Sequence, residues 1–84
     1  MYKVVFKKSA LKDLEGVGSI YIDSVTDSIK KLSYNPRPHG SKKLSTCENS
    51  YRIRVGVYRV IYSIKDNVLV VEVIKINHRR DVYR

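Results

Sequence analysis

Residues 51–62 read YRIRVGVYRVIY, and alternation on both sides of a single glycine makes this stretch a tight β-hairpin. Successive strand residues face opposite ways, so Ile53, Val55, Tyr58 and Val60 fall on one side and Arg52, Arg54 and Arg59 on the other. A two-residue loop at Gly56-Val57, with Gly first, fits a type II′ turn and sets Arg54 directly across from Arg59. Like charges opposed on neighbouring strands destabilise, by an amount comparable to the roughly 0.2–1 kcal/mol that a good pair gains. Folding alone does not favour that pairing. An anion bound on this face does.

The rest of the chain supplies a frame for the hairpin. Tyr2 to Lys7 alternates and predicts a first strand. Ser9 is placed to cap a short helix that turns Leu11 and Leu14 inward before the Gly16 to Gly18 break, and Ser19 to cap a longer one. In the second helix Ile22, Val25, Ile29 and Leu32 recur at helical spacing, with Asp23 early and Lys30 and Lys31 late to suit the macrodipole. Asn35-Pro36-Arg37-Pro38-His39-Gly40 cannot continue a helix and is a loop. The stretch 41–50 extends it, with Lys42 and Lys43 exposed and Leu44 anchored in the core. After the hairpin strands, 50–55 and 58–64, a turn at Asp66-Asn67 leads into a last strand from Val68 to about Ile76, apolar on nearly both faces as a central strand is. The order β-α-α-β-β-β predicts an α+β fold, a mainly antiparallel sheet with two helices packed on one face, over a single domain of residues 1–84.

Composition narrows the partner. The net charge of +9 on 84 residues points to a polyanion. It is unevenly spread: residues 37–84 carry eleven Lys or Arg against four acids, including all seven arginines, whereas residues 1–36 carry six against four. Arginine forks onto phosphate where lysine offers only a point charge, so the bias favours phosphate contact over general solvation. Cys47 stands alone, which excludes a disulfide framework and a cysteine-based metal site and fits a reducing cytoplasm. The start MYKVVFKKSA is charged too soon to read as a signal peptide, and no run approaches a transmembrane length, so no membrane partner is expected.

The residue pattern lacks a glycine-rich phosphate loop, zinc-type His/Glu spacing and a Ser/His/Asp arrangement, so neither a metal nor a cofactor is expected. One reaction needs none: attack of a ribose 2′-hydroxyl on its neighbouring phosphate, which requires in-line geometry, a base, a proton donor and cations around a doubly charged phosphorane. DNA lacks that nucleophile, so the substrate would be RNA. Arg54 and Arg59 are the candidate cations, with Lys42, Lys43 and Arg52 beside them as RNA contacts. The tail residues His78, Arg79, Arg80 and Tyr83 leave a strand of the same sheet and are placed to reach the edge of the patch. Histidine is the side chain able to take a proton near neutral pH.

The runs NPRPHGSKKL, YRIRVGVYRVIY and NHRRDVYR, taken in order and at their spacing, resemble the RelE branch of the RelE/ParE superfamily, the toxins of type II toxin–antitoxin pairs. The resemblance spans essentially the whole chain. It implies a microbial RNase-like fold, entry into the A site of the 70S ribosome, cleavage of the mRNA codon there through the 2′-hydroxyl, and inhibition of translation. It also implies a cognate antitoxin, through which alone the pair would touch operator DNA. Carried over by motif, the basic positions of the first hairpin strand fall on Arg52 and Arg54, that of the second on Arg59, and the tail arginine and tyrosine on Arg79 and Tyr83. Some members carry lysines at the two first-strand positions, one of them thought to act as base. Arginine holds its proton above about pH 12, so the base falls to His78 or to ionised Tyr83. Arg54 and Arg59 would then hold the transition-state phosphate and Arg79 assist the leaving oxygen, unless orientation alone supplies most of the rate.

Two other classes fit the same resemblance: a ParE-like toxin that inhibits DNA gyrase without catalysis, and a detoxified module that only joins an antitoxin in repression. The opposed arginines with His78, Arg79 and Tyr83 favour the nuclease, since a gyrase binder has no need of them. An acidic, partly disordered antitoxin would suit the charge, with Ile20, Tyr21 and the outer face of the long helix as candidate contacts.

Overall fold

Every strand but a two-residue one at the edge turns buried or half-buried apolar residues toward the same side of the sheet, and both helices close over that side. The computed structural model describes residues 1–45 and 49–82, so Cys47 and Tyr83 lie outside the described residues. The elements are β1 (Lys3–Phe6), α1 (Lys8–Glu15), α2 (Ile22–Lys31), β2 (Lys42–Lys43), β3 (Ser50–Val55), β4 (Tyr58–Lys65), β5 (Val70–His78) and a closing turn of helix, α3 (Arg79–Val82). The five strands lie in the order β1-β5-β4-β3-β2, with β1 parallel to β5 and the other pairs antiparallel. This is the expected α+β arrangement with two additions, the short edge strand β2 where a loop was predicted and the terminal α3.

The core joins Val25, Ile29 and Leu32 of α2 and its end, Ala10 of α1, and Ile53, Val60, Tyr62, Ile64, Val71, Val73 and Ile76 of the sheet. α1 turns Ala10 and half-buried Leu14 inward, while Leu11, expected inside, is exposed. Leu44 is half-buried at the sheet edge and donates its amide to the Ser50 carbonyl at 2.8 Å.

Neither predicted serine cap forms. α1 starts one residue before Ser9, whose hydroxyl instead donates to the Ile74 carbonyl at 3.2 Å, and α2 starts at Ile22 after a turn in which Gly18 O accepts from the Tyr21 and Ile22 amides. The Ser9 bond has a reason in the sheet. β1 ends at the Phe6↔Val73 pair, so beyond Val73 one edge of β5 has no strand beside it, and α1 covers it: besides Ser9, the Asp13 Oδ2 accepts the Ile76 amide at 3.1 Å. Side chains thus satisfy backbone groups that an uncovered edge would leave open.

β5 also starts and ends two residues later than predicted, because residues 66–69 form the turn, with Leu69 at φ 54°. Within β5 the register shifts: Ile61 pairs with Lys75 but Tyr62 with Val73, leaving Ile74 as an extra residue. A bulge of this kind inverts which face each following residue takes.

The proline loop is tied down from the core side. The buried Tyr62 hydroxyl donates to the Pro36 carbonyl at 2.8 Å, and Tyr51 stacks on Tyr62 with ring centroids 6.1 Å apart. Arg37 lies over the Tyr51 ring and forks onto both Asp66 oxygens, at 2.8 and 3.3 Å. Tyr2 donates to the same carboxylate at 2.5 Å.

Candidate active site

The hairpin forms as its sequence dictates. Val55 pairs with Tyr58 and Arg54 with Arg59, and Gly56 carries the positive φ, 60°, that the first position of a type II′ turn demands. Tyr21 lies against that turn: a Cβ on Gly56 would stand 2.6 Å from the Tyr21 ring.

Residues paired across strands share a face, so the register lays out two rows on the side of the sheet away from the helices. One runs Lys42, Arg52, Ile61, Lys75; the other runs Arg54, Arg59, Asn77. Lys42 and Arg52 repeat the opposition of like charges that Arg54 and Arg59 show. At the end of the second row the Arg79 amide donates to the Val57 carbonyl at 2.6 Å. That bond docks α3 on the hairpin turn, and Arg79 joins Arg54 and Arg59 around a cavity of about 120 Å³ that also takes in Gly56, Val57 and Tyr58. A second hollow, lined by His39, Gly40, Lys42, Arg52, Ile53 and Arg54, shares Arg54 with the first.

Among the described residues no carboxylate pairs with Arg54, Arg59 or Arg79. Arg37 differs: Asp66 holds it, raising the guanidinium above its ordinary range, and the Arg37 and Tyr2 contacts hold the Asp66 carboxyl below its own. Arg37 is a strut of the loop, whereas the other three line a cavity. Three arginines around one cavity, with no carboxylate partner among the described residues, form a basic site held on strands and a docked turn, and a guanidinium is the side chain that pairs bidentately with a phosphate.

Of the predicted site residues, His78, Arg80 and Lys43 do not join this cluster. His78 pairs with Tyr58 on the helix side of the sheet, its ring edge-on to Tyr58 at 5.2 Å, and with Arg80 it lines a separate hollow beside Lys12 and Asp13. The Ile74 bulge is the cause. Counting by twos from Val71 and Val73 puts His78 on the arginine face; the extra residue moves it to the other and brings Lys75 and Asn77 there instead. Lys43, paired with Tyr51, also falls on the helix side. Tyr83 lies outside the described residues. Asn77 and Lys75 are the residues of this face that sequence reasoning missed, and no local signal marks the bulge that delivers them. Tyr21, expected on a partner surface, is half-buried against the hairpin, while Ile20 is 86% exposed.

A family model described as ParE toxin of type II toxin–antitoxin system, parDE, matches residues 4–83. The chain belongs to the RelE/ParE toxin superfamily. Its relatives place it on the RelE branch. It is 29% identical to Toxin RelG of Mycobacterium tuberculosis, over 99% of this chain and 97% of that one. The RelE of the archaeal RelE–RelB complex from Pyrococcus horikoshii superposes with a TM-score of 0.82 at 29% identity, covering 93% and 94% of the two chains. The isolated E. coli RelE toxin superposes with a TM-score of 0.82 at 28% identity, covering 99% and 92%. As a RelE-type member the chain is a type II toxin. No helix among the described residues is long and apolar enough to cross a membrane.

Proposed function

We propose that this toxin is an mRNA endoribonuclease that acts on the ribosome, with Arg54, Arg59 and Arg79 gripping the scissile phosphate. The observation that carries the reading is that these three arginines line one small cavity without a carboxylate partner among the described residues. As the ribose 2′-oxygen attacks, the phosphorane gains charge, and fixed guanidiniums stabilise it more than the ground state; one such donor is worth about 10²–10³ in rate elsewhere. Arg54 and Arg59 hold the phosphorane, and Arg79 neutralises the leaving 5′-oxygen. Arg52 and Lys42 extend the track for the flanking RNA. Of the two candidate bases, Tyr83 remains the one assigned to the 2′ proton, because His78 lies across the sheet. The dependence on the ribosome follows the resemblance to RelE and supplies the in-line geometry that a free RNA chain lacks.

The P. horikoshii relative is a RelE–RelB complex, and a cognate antitoxin is proposed here likewise, with operator DNA reached only through it. A second reading, ParE-like inhibition of gyrase, is favoured by the description of the matching family model. Primer extension on a reporter mRNA in a reconstituted translation system separates the two. Cuts inside the A-site codon that need ribosomes and disappear with Arg59→Ala support the nuclease. Intact mRNA at a toxin level that halts growth, with gyrase-dependent DNA damage, supports the alternative.

A further inference from the structure

We propose that His78 is a positioning residue for Arg79: it caps the closing turn that sets this arginine against Arg54 and Arg59. The inference rests on the arginine face being the phosphate site. The His78 Nδ1 accepts the Arg80 amide at 3.1 Å, which is the bond an N-cap side chain makes to the second residue of a helix. One residue earlier, the Arg79 amide donates to the Val57 carbonyl at 2.6 Å. The two peptide N–H groups that flank the Arg79 α-carbon are therefore both engaged, which fixes the backbone from which Arg79 lines the cavity with Arg54 and Arg59.

The imidazole is itself held. Its ring stands edge-on to Tyr58 at 5.2 Å, and Tyr58 is fixed by the Gly18 amide, which donates to its hydroxyl at 3.1 Å, and by Tyr21, edge-on at 5.6 Å. A chain of contacts runs from the Gly18 loop through Tyr58 and His78 to the turn bearing Arg79. The charged and titratable residues that line the hollow with His78 are Lys12 and Asp13 of α1, Arg80 of α3 and Tyr58, and the Asp13 Oδ2 is occupied by the Ile76 amide. A neutral ring whose Nδ1 accepts a hydrogen bond carries its proton on Nε2. Both nitrogens are then committed, and neither can take a proton from a 2′-hydroxyl while the Arg80 bond stands.

The test is binding of a 2′-O-methyl oligoribonucleotide, in which the nucleophile is blocked, together with amide exchange at Arg80. His78→Ala is expected to bind about fivefold more weakly, the size of a lost helix cap, and to exchange Arg80 faster. His78→Asn, which caps through its amide oxygen, restores both. With Arg79→Ala already present, His78→Ala has no further effect on binding. Equal impairment of the Asn and Ala variants, unchanged binding by His78→Ala, or an undiminished effect in the Arg79→Ala background overturns the assignment. If Arg59→Ala binds as tightly as the unaltered protein, it is the arginine face that fails as the phosphate site, and Arg80 exchange still decides whether His78 caps the turn.

Discussion

Arg54 and Arg59 stand directly opposite each other on β3 and β4, and among the described residues neither meets a carboxylate. Two like charges opposed on neighbouring strands work against folding. Arg59→Thr keeps a residue that suits a strand and removes the repulsion. It is expected to gain about 0.5 kcal/mol, or roughly 2–4 °C in melting temperature, while weakening RNA binding. A lower melting temperature, read by circular dichroism, would mean that Arg59 packing outweighs the repulsion.

At the hairpin turn, Gly56 combines a φ of 60° with the Tyr21 ring 2.6 Å from where a Cβ would stand. Gly56→Ala therefore meets both a backbone and a steric penalty, together about 1–3 kcal/mol. Adding Tyr21→Ala relieves only the steric part, so urea unfolding of the double variant should show coupling between the two sites. Strict additivity would place the whole effect in the turn backbone.

Acid should loosen the proline loop through Asp66. The Arg37 guanidinium, and after it the Tyr2 hydroxyl, hold the Asp66 carboxyl below the ordinary carboxylate range. A depressed folded value means that the contribution is complete above the unfolded value of about 3.9 and is lost as pH falls through the folded one. Asp66→Asn should be less stable than the unaltered protein at pH 7, and the gap should close below about pH 4. A gap that persists unchanged in acid would refute the ion pair as its source.

Alkali acts on Tyr62 in the opposite sense. Burial pushes its phenol up to about 12, so its stabilisation is full below the ordinary value near 10 and declines as pH rises through 12. Tyr62→Phe is expected to lose about 1–2 kcal/mol at neutral pH, from the bond to the Pro36 carbonyl left unmade, and to show a flatter alkaline limb. Matching limbs would mean that another group governs unfolding in alkali.

The sheet was legible wherever side-chain alternation and turn chemistry agreed: Gly56 and the flanking arginines specify their hairpin within a dozen residues. Legibility failed where tertiary partners decide. Ser9 is a good local cap, yet the Ile74 carbonyl takes its hydroxyl. Lys42 and Lys43 show no strand pattern and pair with Arg52 and Tyr51 only because β3 offers an edge. The sequence reading puts His78 in a tail beyond the last strand that reaches the edge of the arginine patch; in the structure β5 runs on to His78, and the extra residue at Ile74, which nothing local announces, decides which side of the sheet the imidazole faces. The identity of the arginines was readable; the parity of the tail was not.

The parallel pairing of β1 with β5, which aligns Lys3 with Val70, has a consequence for the order in which the sheet is assembled. Arg54 and Arg59 meet across a two-residue loop and need almost no loop closure, whereas β5 is fully flanked only when the two ends of the chain have come together, a closure of higher entropic cost. Pulse-labelled exchange should find the β3–β4 amides protected before those of β1, and simultaneous protection would contradict this order. Arg79 hangs from the other end of β5, where pairing with β4 through the Tyr58↔His78 step brings it to the hairpin turn. The third arginine therefore joins the first two once β5 has paired with β4, whether or not the first strand is in place.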